Sequence, residues 1–152
     1  MRGTLIEVDG FALDPGLLYD PDTHLWVQPQ DSGLLRVGFD PLGRETSGDV
    51  VALSFVAVGT AVDRGASFGD VEAAKLVGPL TAPVSGTVEA HNDAVLQDPM
   101  LVNLDPLGAW LVDLRPAPQA AAELARLRTG EGLADWFSAE VKRFREQGML
   151  AE

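Results

Sequence analysis

Between residues 24 and 115, short apolar or β-branched runs recur at close intervals, separated by glycine or proline. The runs cover 24–27, 34–39, 49–56, 68–74, 76–82, 86–90 and 109–114. Punctuation falls at Gly33, Gly48, Gly59, Gly65, Gly78-Pro79, Pro83, Gly86 and Pro106. Strands this short and this closely spaced predict a barrel or sandwich. The interruption at 40–47 is too polar and irregular for a core strand and predicts a short helix or loop.

After residue 115 the pattern changes. Pro116-Ala117-Pro118 is a break. Residues 119–128 are rich in Ala, Leu, Glu and Arg, which favours a helix, and Gly130 follows as the expected C-cap. Residues 131–147 place Leu133, Phe137, Val141 and Phe144 on one stripe, with Trp136 beside it. That spacing predicts an amphipathic helix packed on the β core or a partner. Residues 1–23 read as an arm or short strand lying on the barrel, using Phe11, Leu13, Leu17, Leu18 and Tyr19. A chain of 152 residues fits one domain. The expected layout is a 1–23 arm, a 24–115 β domain, and helices over 116–152 packed on that same domain.

Composition excludes several classes. The net charge is −12, spread as −7 over residues 1–75 and −5 over 76–152. Such a field repels phosphate backbones, so nucleic-acid binding is not expected. It favours solubility and docking onto basic partner surfaces. No apolar run approaches the roughly 20 residues needed to span a bilayer. The first residues carry acids where a signal peptide needs an apolar stretch, so a cytoplasmic protein is expected. With no cysteine, any thiol chemistry must be imported with a cofactor. His24 and His91 are far apart and make no metal-ligand spacing, and no nucleophile–base spacing or phosphate loop appears. No metal site and no catalytic role of its own are expected.

Lysine usage singles out one residue. Of 11 basic residues, nine are arginines and two are lysines, Lys75 and Lys142. Lys75 lies midway between two β-prone runs, which predicts the tip of a hairpin, where a modifying enzyme can reach an amine. Ala73 and Ala74 keep access open, and Gly78 and Pro79 are expected to end the returning strand near the tip. Around it stand Gly65 and Gly69, ten and six residues before, Glu72 three before, and Gly86 eleven after.

The run from Gly65 to Lys75, with Phe68-Gly69, Val71-Glu72 and Lys75, resembles the glycine-cleavage H-protein pattern G-x-x-F-G-x-V-E-S-V-K. Ala82-Pro83-Val84-Ser85-Gly86-Thr87-Val88 resembles the A-P-V-S-G-x-V of that family. His24-Leu25-Trp26-Val27 resembles H-E-W-V, and Val37-Gly38-Phe39 with Gly48-Asp49-Val50-Val51 resembles V-G-I-T and G-D-I-V. Pro99, Leu101, Val102, Asn103, Asp105, Pro106, Gly108 and Trp110 follow P-x-L-I/V-N-x-D-P-Y-G-x-G-W. The resemblance covers roughly residues 19–115.

It implies a flattened lipoyl-domain-type β-barrel (a barrel-sandwich hybrid) with flanking helices. It implies lipoate joined by an amide to Lys75, with Glu72 read by the lipoate-attaching enzyme. Gly69, Gly86 and His24 are further candidate cofactor-site residues. The implied partners are that enzyme, dihydrolipoyl dehydrogenase and the other glycine-cleavage enzymes. The protein would be a carrier and not a catalyst.

Departures bear on pathway. The acid of H-E-W is Leu25, a polar contact before G-D-I-V is Thr46, and the residues after the lysine are Leu76-Val77-Gly78-Pro79. The tyrosine of D-P-Y-G is Leu107. An apolar side chain cannot stabilise an ammonium, so the surroundings of the arm are expected to be more apolar. These features resemble an H-like branch: the lipoate-binding proteins of sulfur-oxidising, heterodisulfide-reductase-like systems. Three readings stand beside one another. They are a carrier of sulfur intermediates serving such a complex, to which the departures lean, an aminomethyl carrier, and an unmodified structural or regulatory relative. A biotin carrier, which usually sets its lysine between methionines, fits poorly because Ala74 and Leu76 flank Lys75.

Overall fold

The computed structural model describes residues 4–150. In chain order, β1 (Ile6–Val8) and β2 (Phe11–Leu13) form a hairpin, followed by β3 (Leu18–Tyr19), β4 (Leu25–Pro29), β5 (Leu35–Phe39) and α1 (Pro41–Ser47). Then come β6 (Val50–Phe55), β7 (Ala61–Val62), β8 (Ser67–Ala73), β9 (Val77–Thr81) and β10 (Gly86–His91). Short helices α2 (Asp93–Gln97) and α3 (Met100–Leu104) precede β11 (Val112–Pro116), and α4 (Ala120–Leu124) and α5 (Leu133–Glu146) close the chain.

Among the described residues the strands form three sheets: β1-β2, a larger sheet in the order β3-β4-β5-β11-β10-β7, and β6-β8-β9. The two larger sheets face one another. Leu25, Val27, Val37 and Leu114 from one share a core with Val50, Phe68, Val71 and Leu80 from the other. This is the expected mostly-β flattened barrel or sandwich with flanking helices. Alternation is plain in the second half of β8, where Val71 and Ala73 are buried while Asp70 and Glu72 point out, and a shift of register between Ser67 and Gly69 lets Phe68 enter the same core.

A second core explains the two ends of the chain. Leu13, Leu17 and Tyr19 from the N-terminal stretch meet Trp26, Leu42 and the α5 residues Leu133, Phe137, Val141 and Phe144. The arm is thus a β-hairpin plus β3, clamped between barrel and helix. Helix α1 forms where the polar interruption lies, because Asp40 caps it by accepting from Gly43 N at 2.8 Å and Pro41 opens the first turn.

Several expectations need correction. Helix α4 ends at Leu124, well short of residue 128, and Gly130 (φ 65°) sits in the turn before α5 instead of capping α4. The pattern between residues 92 and 104 gave no sign of α2 and α3, each only five residues long. Gly78 and Pro79 lie inside β9 and do not end it; proline is tolerated there because β9 is an edge strand. No described helix is long and apolar enough to cross a membrane.

Candidate functional site

Strands β8 and β9 pair antiparallel down to Glu72 opposite Val77. Beyond that pair, Ala73 N donates to Leu76 O at 2.7 Å and Leu76 N to Ala73 O at 3.4 Å. The loop is therefore two residues, Ala74 and Lys75, and the lysine is exposed. Two-residue hairpins usually adopt mirror-image turns with positive φ, because ordinary turns splay the strands. Among described non-glycine residues only Asp9 and His24 have positive φ.

This tip is held from outside. Ala74 N donates to Asp49 O at 3.0 Å, and Lys75 N donates to Ser47 O at 2.8 Å. Between those carbonyls lies Gly48, at φ 74° and ψ −173°. A Cβ there would stand 3.0 Å from Ala74 Cβ and 3.2 Å from Lys75 Cγ. The turn joining α1 to β6 is thus a saddle on which the lysine hairpin rests. Neither Ser47 nor Gly48 carries chemistry that marks it in the sequence as a site residue; the signal is the Gly48-Asp49 motif, whose partner across the fold the sequence does not reveal.

Beside the tip is a cavity of about 190 Å³. Leu76, next to the lysine, and Ser47, its backbone partner, both line it. Leu25, Thr46 and Pro79 line it as well, so three departures scattered in sequence converge on one space. Phe39, Val71 and Leu80 add apolar surface, and Thr23, Ser47 and Thr81 bring hydroxyls to the same wall. Its carboxylate, Asp22, is ion-paired at 2.7 Å with Arg64. Leu107 is elsewhere: it packs in the second core and contributes nothing to this wall.

Glu72 stands on the outer face of the β6-β8-β9 sheet, in line with Ala52 and Val77. With them it borders a shallower groove of about 270 Å³. Gly69 and Gly86 line neither space. A Cβ on Gly69 would meet Ser54 O at 2.1 Å, and one on Gly86 would meet Arg115 O at 2.6 Å. Both glycines let strands approach closely, and neither reaches the lysine cavity.

His24 lines the cavity, but its ring is committed elsewhere. Nδ1 lies 2.7 Å from Asp40 Oδ2 and Nε2 lies 2.9 Å from Glu140 Oε1. The imidazole stacks on Trp136 at 5.6 Å and meets Phe144 edge-on. Burial opposes its charge, yet the hydrogen bonds and charges of Asp40 and Glu140 prevail and raise its pKa above 6.5. With both nitrogens taken, the ring has no polar atom left for a cofactor. His91, separately, bonds Val56 O at 2.7 Å.

The exposed amine, small loop neighbours and the leucines in the adjoining wall suit a long acyl arm. The comparisons agree. The family model for the glycine cleavage H-protein matches residues 17–139. The glycine cleavage system H protein of Mycobacterium avium (strain 104) is 42% identical over 114 residues, covering 74% of this chain and 86% of that protein. Glycine cleavage system H protein 3 of Aquifex aeolicus (strain VF5) is 31% identical over 132 residues, covering 85% and 82%. The crystal structure of a glycine cleavage system H protein from Mycobacterium marinum superposes with a TM-score of 0.64 at 34% identity, covering 74% of this chain and 96% of that one. The chain belongs to the glycine cleavage H-protein family, carriers of covalently attached lipoate with the lipoyl-domain-type fold, which are components of a multienzyme system and not catalysts themselves.

Proposed function

We propose that Lys75 is the lipoyl attachment residue. The observation that carries this reading is the exposed lysine in a two-residue hairpin loop, pinned by Ser47 and adjoining a cavity walled in part by Leu25, Phe39, Leu76 and Leu80. An amide between lipoate and Nζ would place the arm where Leu25, Phe39, Leu76 and Leu80 can shelter it. When bound, the group supplies the dithiol–disulfide chemistry that a cysteine-free chain lacks. Glu72, outward-facing three residues before the lysine, offers a charge for the attaching enzyme to read. Residues 24–115 supply the lipoyl unit, and the N-terminal hairpin and C-terminal helices brace it. The partners are a lipoate-attaching enzyme, dihydrolipoyl dehydrogenase and the enzymes that load and unload the arm, acting in the cytoplasm.

Intact mass and peptide mapping of protein from its native host test the attachment. One lipoyl group on Lys75 is the expected result. Unmodified Lys75, in cells that lipoylate other substrates, would overturn it and favour a structural or regulatory relative.

The nature of the cavity wall favours an uncharged, sulfur-bound cargo delivered to a heterodisulfide-reductase-like complex. Leu25 and Thr46 put no carboxylate in the wall, and Asp22, exposed at its edge, is ion-paired with Arg64. The alternative is aminomethyl transfer in glycine cleavage, which the names of the relatives favour. Reconstitution with the glycine-cleavage enzymes separates them: efficient aminomethyl transfer would eliminate the sulfur reading.

A further inference from the structure

We infer that Asn103, on α3, is a positioning residue for Lys75, an inference that rests on Lys75 being the attachment residue. Asn103 touches no atom of the lysine. Its side-chain amide pairs with both backbone groups of the first residue of β6: Oδ1 accepts from Val50 N at 2.8 Å and Nδ2 donates to Val50 O at 3.0 Å. Only a side-chain amide offers donor and acceptor in that spacing. Strand β6 is an edge of its sheet, so Asn103 occupies the place of a missing neighbouring strand.

What the clamp holds is the saddle. The residues immediately before Val50 are Ser47, Gly48 and Asp49, and the carbonyls of Ser47 and Asp49 fix the Lys75 and Ala74 amides. Arg44 ties the same parts together, with Nη1 at 3.2 Å from Asp49 Oδ1 and 3.4 Å from Asn103 Oδ1. The loop itself lacks the mirror-image conformation that aligns a two-residue hairpin unaided. Beyond the β8-β9 ladder that leads into it, the tip is placed by the saddle, and Asn103 fixes the end of the saddle at Val50.

Without the amide, Val50 loses both partners and the hairpin spends only a fraction of its time in place. An enzyme that engages only the placed hairpin then binds more weakly by that fraction, while the bound complex reacts as before. The test uses the full chain, unmodified, with lipoate, ATP and a lipoate–protein ligase, read by intact mass. Asn103→Ala is expected to raise KM about tenfold with kcat unchanged, and to speed amide exchange at Ala74 and Lys75 about tenfold. Exchange in β5 and β10 should not move. Asn103→Asp keeps the acceptor toward Val50 N but sets an oxygen against Val50 O, so it should also raise KM; it carries the same two readouts if the alanine variant does not fold.

An unchanged KM, a fall in kcat alone, or exchange that accelerates equally throughout the barrel would overturn the inference. If the parent chain is not acylated on Lys75, the attachment reading fails by itself. Exchange at Ala74 and Lys75 still decides the clamp in that case: faster exchange in Asn103→Ala sustains it, and unchanged exchange overturns it.

Discussion

Gly48 shows how one residue's backbone can decide what happens to another residue's amine. Its φ of 74° and ψ of −173° lie in a region that only glycine occupies at ease. Its missing Cβ is what leaves room for Ala74 and the lysine stem. Gly48→Ala is expected to lower stability by about 1–3 kcal/mol in urea unfolding and to slow acylation of Lys75. By contrast, Lys75→Arg removes the attachment point and keeps an exposed cation, so it should abolish modification while changing stability by less than about 0.5 kcal/mol. If Gly48→Ala behaved as quietly as that, the saddle would have another conformation open to it.

At the scale of elements, α5 is fastened by more than its apolar stripe. His24 bridges Asp40, the cap of α1, to Glu140 on α5. The pKa of Glu140 is lowered by its bond to Arg143 first and by His24 as well, against the opposing effect of burial. A raised histidine pKa contributes stability fully present below 6.5 and lost as pH rises through the folded value. A lowered glutamate pKa contributes stability present above 4.5 and lost as pH falls through its folded value. The fastening is therefore strongest between 4.5 and 6.5. Glu140→Gln keeps a neutral acceptor but loses the charge, costing about 1 kcal/mol, or roughly 2–4 °C in Tm. That gap should be widest inside the window and narrow as pH rises, to the part that the Arg143 pair supplies; a gap constant with pH would mean His24 is not charged there. Helix α4 is anchored differently, by Glu123 accepting from Ser85 N at 2.7 Å and Ser85 Oγ at 2.8 Å.

The whole molecule has two cores with different tasks. The one between the sheets carries the hairpin; the other binds both chain ends to the barrel. Phe137, fully buried in the second, should cost about 3–5 kcal/mol as Phe137→Ala. Calorimetry should show the lowered Tm, while Lys75 remains a substrate at temperatures where the variant is folded. Loss of acylation in the folded variant would mean that the second core also governs the hairpin.

Local pattern determined much of this protein: seven strands, α1 and α5, and the lysine at a hairpin tip, because alternation, capping and amphipathic spacing are short-range properties. The five-residue helices α2 and α3 carry too few turns for a periodicity to show. Tertiary structure alone decided which distant residues share a space. It gathered Leu25, Thr46 and Pro79 into one cavity, sent Leu107 to another core, and set Asn103 against Val50. It also turned His24 from a cofactor candidate into a bridge to α5, because a helix more than a hundred residues away supplies the carboxylate that occupies its ring. Strand pairing and side-chain burial across such separations are set by the packing of the complete chain, which no local run of residues encodes.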